Sequence, residues 1–404
     1  MQQIKIDNII ILFSLWLLMF SASSQFFIIA PILSQIGDQL HIPQALRGTL
    51  ITAYAITVGI IALLTGPISD RVGRRKVLLF GTATMAISLL MHQLAVDFYS
   101  ILLLRIFSGF AGGILTGSCV AYIGDHFESN KRGWANGLVA TGSAAGQILG
   151  IPAGTILSSS LGFHAPFQFF GIVMAAAFVL IFFKLPQPNV KLSTCKLNLK
   201  ATVLNYGAIL QIPKVKTIAL GYLLMFLSFT TFVVYFPSWL ENSFHLGHYE
   251  IASLFLVGGL ATVVSGPFSG RLSDKFGRKQ IIIYANLLLV IIMPISVMMM
   301  QHLTQSYYVI FFIIMVLMVG RMVPFQALAS EIVDDHERGR VMSLTISIGQ
   351  LGMALGSAIA GFIYTEIDFI GNATLAAIAS IAMAGIIQIF VPDHFVALQK
   401  EVQN

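Results

Sequence analysis

The chain has 404 residues, 57% of them hydrophobic and 10% charged, with a formal net charge of +6 and a mean hydropathy of +0.86. A soluble domain carries about 25% charged residues, so a water-soluble globule is excluded and a polytopic membrane protein is implied. The basic surplus lies in short blocks between apolar runs, where the positive-inside bias accounts for it, and no nucleic-acid partner is expected.

A single basic residue, Lys5, precedes an apolar run that begins near Asn8. The run exceeds the ~7–15 apolar residues of a cleaved signal and reads as the first membrane helix. With ~20 residues needed per crossing, the apolar runs predict twelve spans at roughly 9–32, 48–68, 77–95, 98–123, 134–157, 166–185, 217–239, 249–269, 280–300, 307–330, 341–363 and 372–391. Six lie in a bundle over 1–185 and six in a bundle over 217–404. The linker over 186–216 carries Lys191, Lys196, Lys200, Lys214 and Lys216, and Leu197 to Ile212 within it is a candidate interfacial helix.

The loop after span two reads Gly66-Pro67-Ile68-Ser69-Asp70-Arg71-Val72-Gly73-Arg74-Arg75, and the loop after span eight reads Gly270-Arg271-Leu272-Ser273-Asp274-Lys275-Phe276-Gly277-Arg278-Lys279. The shared pattern makes the chain two copies of one unit, as in transporters built from internal repeats. The loop after span four, through Asp125, is echoed after span ten through Asp334 and Asp335. Glycines at 142, 146, 150 and 154 in span five correspond to 349, 352, 356 and 361 in span eleven. Small residues on one face let helices approach closely in lipid, and the expectation is that spans five and eleven pack on spans eight and two across the halves. Of the 23 Lys and Arg, only Arg47 falls opposite the basic loops and only Arg105 and Arg321 fall inside spans. Both termini and the linker are therefore expected in the cytoplasm.

These residues resemble the major facilitator superfamily over essentially the whole chain. The duplicated loop is the superfamily's most specific signature, and span four adds Arg-x-x-x-Gly at Arg105 and Gly109. Gly146 through Gly154, with Pro152 two places after Gly150, is similar to the glycine and proline motif of drug/proton antiporters of the arabinose-efflux-like branch. The fold so implied is all-α, twelve transmembrane helices in two six-helix pseudo-repeats around a central cavity, with no cofactor and a monomeric carrier in the cytoplasmic membrane.

The gating candidates are Asp70, Arg71, Gly73, Arg74, Asp125, Asp274, Gly277, Arg278 and Asp335. A carboxylate at a helix end can accept hydrogen bonds from a neighbouring helix's free amides and favour its positive dipole end. The resemblance implies charge clusters of Arg74 with Asp125 and of Arg278 with Asp334 or Asp335. A plain basic loop of solvated charges is the alternative.

By the same resemblance, spans one, four, seven and ten line the cavity, giving Arg321, Arg105, Gln25, Phe226, Phe229, Thr230, Tyr235 and Gln326 as substrate contacts. An ionisable residue inside a span is a functional candidate. All 17 acids fall in loops or at span ends, so neither arginine has a buried carboxylate partner, and Arg321 is expected to face the cavity near mid-membrane. A free guanidinium fork suits an anionic substrate, whereas the aromatic faces suit an amphiphilic one. Any proton carrier must be an end-located acid such as Asp38 or Asp125, a histidine such as His92, or the substrate itself. His245 and His248 lack further ligands for a metal site. No cluster for membrane enzymology and no phosphate-cradling loop occurs, so the chain reads as a secondary transporter: either a proton-coupled exporter of amphiphilic compounds or a carrier of an organic anion.

Overall fold

In the computed structural model the described residues are 6–189, 192, 199–302, 306–332 and 338–391. In chain order the helices are α1 Ile6–Phe27, α2 Leu33–Gln39, α3 Gln44–Arg47, α4 Thr49–Val72, α5 Arg74–Met91, α6 Phe98–His126, α7 Ser129–Ala145, α8 Ile151–Leu161 and α9 His164–Lys184. The series continues with α10 Leu199–Leu210, α11 Pro213–Val233, α12 Phe236–Phe244, α13 His248–Phe276, α14 Arg278–His302, α15 Tyr307–Ile332, α16 Arg338–Ile367 and α17 Phe369–Phe390. Helix α10 occupies the linker, where the sequence offers a weak amphipathic pattern.

Eleven helices among the described residues are long and apolar enough to cross a membrane. The twelfth crossing, the predicted fifth, is divided into α7 and α8 by a π-helical turn at Gly146–Gly150. Pro152 has no N–H to offer the preceding turn, and its ring crowds the carbonyl four residues earlier; a π-bulge absorbs that defect.

Proline also corrects two predicted boundaries. Spans one and seven stop early, at Phe27 and Val233, each four residues before a proline, Pro31 and Pro237. That is the residue whose carbonyl a helical proline leaves without a donor. The chain then turns and re-forms as α2 and α12. The duplication therefore extends to where these helices break.

Two compact units result. The first comprises Met1–Pro43, Thr49–Leu199 and Gly247–Leu256; the second comprises Gln44–Gly48, Lys200–Leu246 and Val257–Asn404. Within the first unit the span-five glycines lie against span one: a Cβ on Gly142 would stand 2.5 Å from the Trp16 carbonyl oxygen, and one on Gly146 2.7 Å from that of Phe20. Within the second unit Gly349 meets Phe226, while Gly352 and Gly356 abut the Leu223 and Leu227 carbonyls. The stripes thus seat spans five and eleven on spans one and seven of their own unit. Backbone-to-backbone approach is what a glycine face permits.

Candidate functional site

Each signature loop reduces to one residue between two helices. Gly73 joins α4 to α5 at φ +102° and Gly277 joins α13 to α14 at φ +96°. Only glycine adopts such a φ without strain, so the loop fixes the next arginine at the first helical position. Arg74 bridges Asp70 at 2.5 Å on the last turn of α4 and Asp125 at 2.7 Å on the last turn of α6. Arg278 repeats this with Asp274 at 3.6 Å and Glu331 at 2.7 Å on the last turn of α15.

The arginines are largely buried, at 15% and 16% side-chain exposure, whereas Asp70 and Asp274 are about half exposed, at 52% and 57%. Among the described residues Asp70 therefore meets a guanidinium rather than a free helix amide. Asp334 and Asp335 lie outside the described residues; the described acid on Arg278 from the span-ten end is Glu331. Glu331 belongs to the same acidic stretch that the sequence aligns with the Asp125 loop. Arg71 is exposed and makes no described ion pair.

The last basic residue of each signature has a matching task. Arg75 Nη2 donates to the Phe182 carbonyl at 2.6 Å near the C-terminus of α9, and Lys279 Nζ donates to the Val391 carbonyl at 2.7 Å just past α17. A cation at a helix C-terminus satisfies carbonyls that lack intrahelical donors and complements the dipole. Each signature thus ties the third helix of its unit to the ends of the fourth and the sixth.

Inside the first unit, Arg105 is fully buried on α6. Its Nη1 donates to Gln25 Oε1 at 3.0 Å, and its Cζ lies 4.6 Å from the Tyr54 ring centroid. Gln25 Nε2 donates to the Tyr54 hydroxyl at 3.1 Å and the Ala22 carbonyl at 3.2 Å. His92 is also fully buried, stacked 4.2 Å from Phe167. Its Nδ1 lies 2.8 Å from the Ser88 carbonyl, which can only accept, so Nδ1 carries the proton and Nε2 is left as an acceptor.

Inside the second unit, Arg321 is 1% exposed rather than open to a cavity. Nη1 donates to Asn286 Oδ1 at 2.8 Å and Ser380 Oγ at 3.0 Å, and Nη2 to the Met225 carbonyl at 3.2 Å. The reason is local: Asn286 and Ser380 put neutral oxygens where the guanidinium can satisfy itself within its own bundle. Tyr235 is fully buried, donating to the Gln44 carbonyl and accepting from the Gly48 amide, both at 2.9 Å. The Thr230 hydroxyl returns to the Phe226 carbonyl at 2.8 Å. Phe226 and Phe229 are half-buried and Gln326 is exposed.

The described acids on the membrane-length helices sit in end turns: Asp7, Asp70, Asp125, Glu250, Asp274, Glu331 and Glu366. Among the described residues no group of three His, Cys, Asp or Glu is placed to hold a metal ion. Tyr54, Asn286, Ser380 and Glu331 escaped the sequence reading. The polar ones were legible as isolated side chains inside apolar runs, Asn286 most clearly.

A duplicated bundle with a repeated acid–arginine–acid cluster at corresponding helix ends defines a membrane transporter of internally repeated architecture. The chain belongs to the Major Facilitator Superfamily, whose family model matches residues 15–356 and 218–401. It is 28% identical over 367 residues to the uncharacterized transporter YceJ of Bacillus subtilis (strain 168), covering 89% of this chain and 91% of that protein. It is 27% identical over 295 residues to the multidrug resistance protein MdtG of Yersinia enterocolitica, covering 70% and 69%. A crystal structure of a D-xylose–proton symporter superposes with a TM-score of 0.77 at 16% identity, over 95% of this chain and 98% of that one. The human organic anion transporter MFSD10 gives 0.70 at 17% identity, over 96% and 100%.

The cluster yields a direct prediction. Asp125→Asn keeps shape but leaves Arg74 only the half-exposed Asp70, a loss on the order of 1 kcal/mol after solvent screening. Asp70→Asn removes the other arm at similar cost. Each variant should insert and fold normally yet transport several-fold more slowly in vesicles, and a cysteine placed near the cluster should label faster. Wild-type transport and labelling in Asp70→Asn and Asp274→Asn alike would remove the gate assignment.

Proposed function

We propose that this protein exports small amphiphilic organic molecules across the cytoplasmic membrane by alternating access, in exchange for protons. It works as a monomer with both termini in the cytoplasm. The observation that carries this reading is the pair of acid–arginine–acid clusters, Asp70–Arg74–Asp125 and Asp274–Arg278–Glu331, set at the basic ends that the positive-inside bias assigns to the cytoplasm. Partly exposed ion pairs of modest strength suit contacts that must break and re-form every cycle. Similarity to a multidrug resistance protein over 70% of the chain supports export and a broad substrate class.

Half-buried Phe226 and Phe229 and exposed Gln326 are the substrate contacts of the second unit. Thr230, Tyr235 and Arg321 are engaged with protein groups and act by positioning. Proton exchange runs through end-located acids, Asp125 foremost, since the described helices hold none at mid-depth. Everted vesicles supply the test: on acidification of the lumen they should accumulate rhodamine 6G, and a protonophore should stop it. Accumulation that ignores the pH gradient would remove the antiport reading; no accumulation of any amphiphilic dye would remove export.

A second reading, carriage of an organic anion, is favoured by one observation: two fully or nearly fully buried arginines have no carboxylate among their described contacts.

A further inference from the structure

A buried guanidinium must place five N–H groups and one positive charge. For Arg105 the surroundings settle only part of this. Gly109 and Gly112 on α6 bring α4 close: a Cβ on Gly109 would lie 2.6 Å from the Tyr54 carbonyl oxygen, and one on Gly112 2.6 Å from the Tyr54 hydroxyl. That approach puts the Tyr54 ring beneath the guanidinium and lets its hydroxyl take the Gln25 amide. Gln25 is thereby oriented with its oxygen toward Arg105, and Nη1 is satisfied.

The opposite edge is not. Nε and Nη2 are both buried and have no hydrogen-bond partner among the described residues. Their N–H bonds run parallel along one side of the planar group, the side that pairs with the two oxygens of a carboxylate. Each unpaired buried donor costs about 1–3 kcal/mol, and an uncompensated buried charge costs more. No described acid is placed to relieve it. Asp125, at the far end of α6, is about 30 Å away at 1.5 Å per residue. Asp97, just before α6, is occupied in a capping box with Ser100. Arg321 differs, because both its Nη atoms are engaged and only Nε is left over.

We infer that the Nε/Nη2 edge of Arg105 is the binding point for the planar, two-oxygen anionic head of the transported molecule, with Gln25 and Tyr54 positioning the fork. The assignment rests on the transporter reading and names its substrate class: amphiphilic carboxylates. Phe26, whose ring centroid is 5.2 Å from that of Tyr54, supplies an apolar wall for the body attached to the head. The fork has no exposure here, so the anion enters when the wall yields. Gln25 lies on the last turn of α1, two residues before the break that Pro31 imposes, where the helix is least supported.

The test uses the full chain, purified in detergent, with 1-naphthoate and its uncharged counterpart 1-naphthamide as probes in titration calorimetry. Wild type should bind naphthoate at least about tenfold more tightly than naphthamide. Arg105→Gln should equalise the two, and Arg105→Lys, a point charge without the fork, should fall between. Should the Arg105 variants fail to fold, Gln25→Glu provides an internal carboxylate of the same shape. It should weaken naphthoate binding about tenfold, leave naphthamide unchanged and melt no lower than wild type, a pattern that a purely structural arginine would not produce. Equal binding of both probes to wild type, or naphthoate binding unaltered in Arg105→Gln or Gln25→Glu, overturns the inference. So does displacement of naphthoate by millimolar chloride, which would mark an inorganic anion site. Rhodamine 6G accumulation in everted vesicles carrying the same protein separates the two claims: if accumulation persists while naphthoate fails to bind, the transporter reading stands and this assignment falls.

Discussion

Gly352→Val is expected to abolish recovery of folded transporter, and Gly352→Ala to lower its melting temperature by several degrees. A Cβ at this position collides with the Leu223 carbonyl oxygen on α11 and lies 3.0 Å from the Leu223 Cα and carbonyl carbon. A flexible side chain could swing away; a carbonyl inside a hydrogen-bonded helix cannot. Overpacking a core costs about 1–3 kcal/mol even where neighbours can adjust. Here the only relief is separation of α11 from α16, which loses the packing that associates helices in lipid. Gly142→Val, against the Trp16 carbonyl, should do the same in the first unit. Gly385→Ala is the control, since nothing lies within 4 Å of its added Cβ. Size-exclusion profiles and melting curves of solubilised protein decide the matter: a monodisperse Gly352→Val protein with wild-type melting would mean that α11 and α16 do not meet there.

The parts of this molecule that were legible in its sequence are those governed by short-range rules. Apolar run length gave the spans, and the family resemblance implied the pairing of Arg74 with Asp125, whereas the one-glycine joints were not anticipated, since the predicted spans stop at 68 and 269 and resume at 77 and 280. The boundaries of spans one and seven were missed because hydropathy does not register a lost backbone donor: Ile28 to Ile32 and Val234 to Trp239 are as apolar as the helices before them. Pro31 and Pro237 were the available signal, and their recurrence at matching places in the repeat made it stronger than either alone. The glycine stripes were recognised as close-packing faces, but a stripe says that a helix approaches something and not which helix. The membrane arginines were the hardest to read. Their lack of a carboxylate was visible in the acidic inventory, whereas the neutral partners Asn286, Ser380 and Gln25 become partners only once three helices are brought together. The weight placed on Arg321 as the open fork accordingly shifts to Arg105.

Arg321→Met is therefore expected to destabilise the second unit without a specific loss of substrate affinity. The guanidinium ties α15 to α14 through Asn286, to α17 through Ser380 and to α11 through the Met225 carbonyl. Methionine of similar length leaves Asn286 Oδ1 without a donor, whereas Ser380 keeps its contacts with Ser228 and the Ala376 carbonyl. One orphaned amide oxygen costs about 1–3 kcal/mol. Arg321→Lys should fare no better, because one ammonium cannot span three separated acceptors and a compact charge is harder to bury than a guanidinium. The decisive variant is the double substitution Arg321→Met with Asn286→Leu. Removing both sides of a buried polar contact is often close to neutral where removing one side is not, so the pair should recover much of the stability lost in Arg321→Met, a coupling that separate, unconnected roles would not give. Melting temperature, dye binding and dye export measured on these variants and on Asn286→Leu alone resolve the alternatives: unchanged melting in Arg321→Met together with weakened dye binding would return Arg321 to the substrate site, and a double-variant loss equal to the sum of the two single losses would dissolve the clamp.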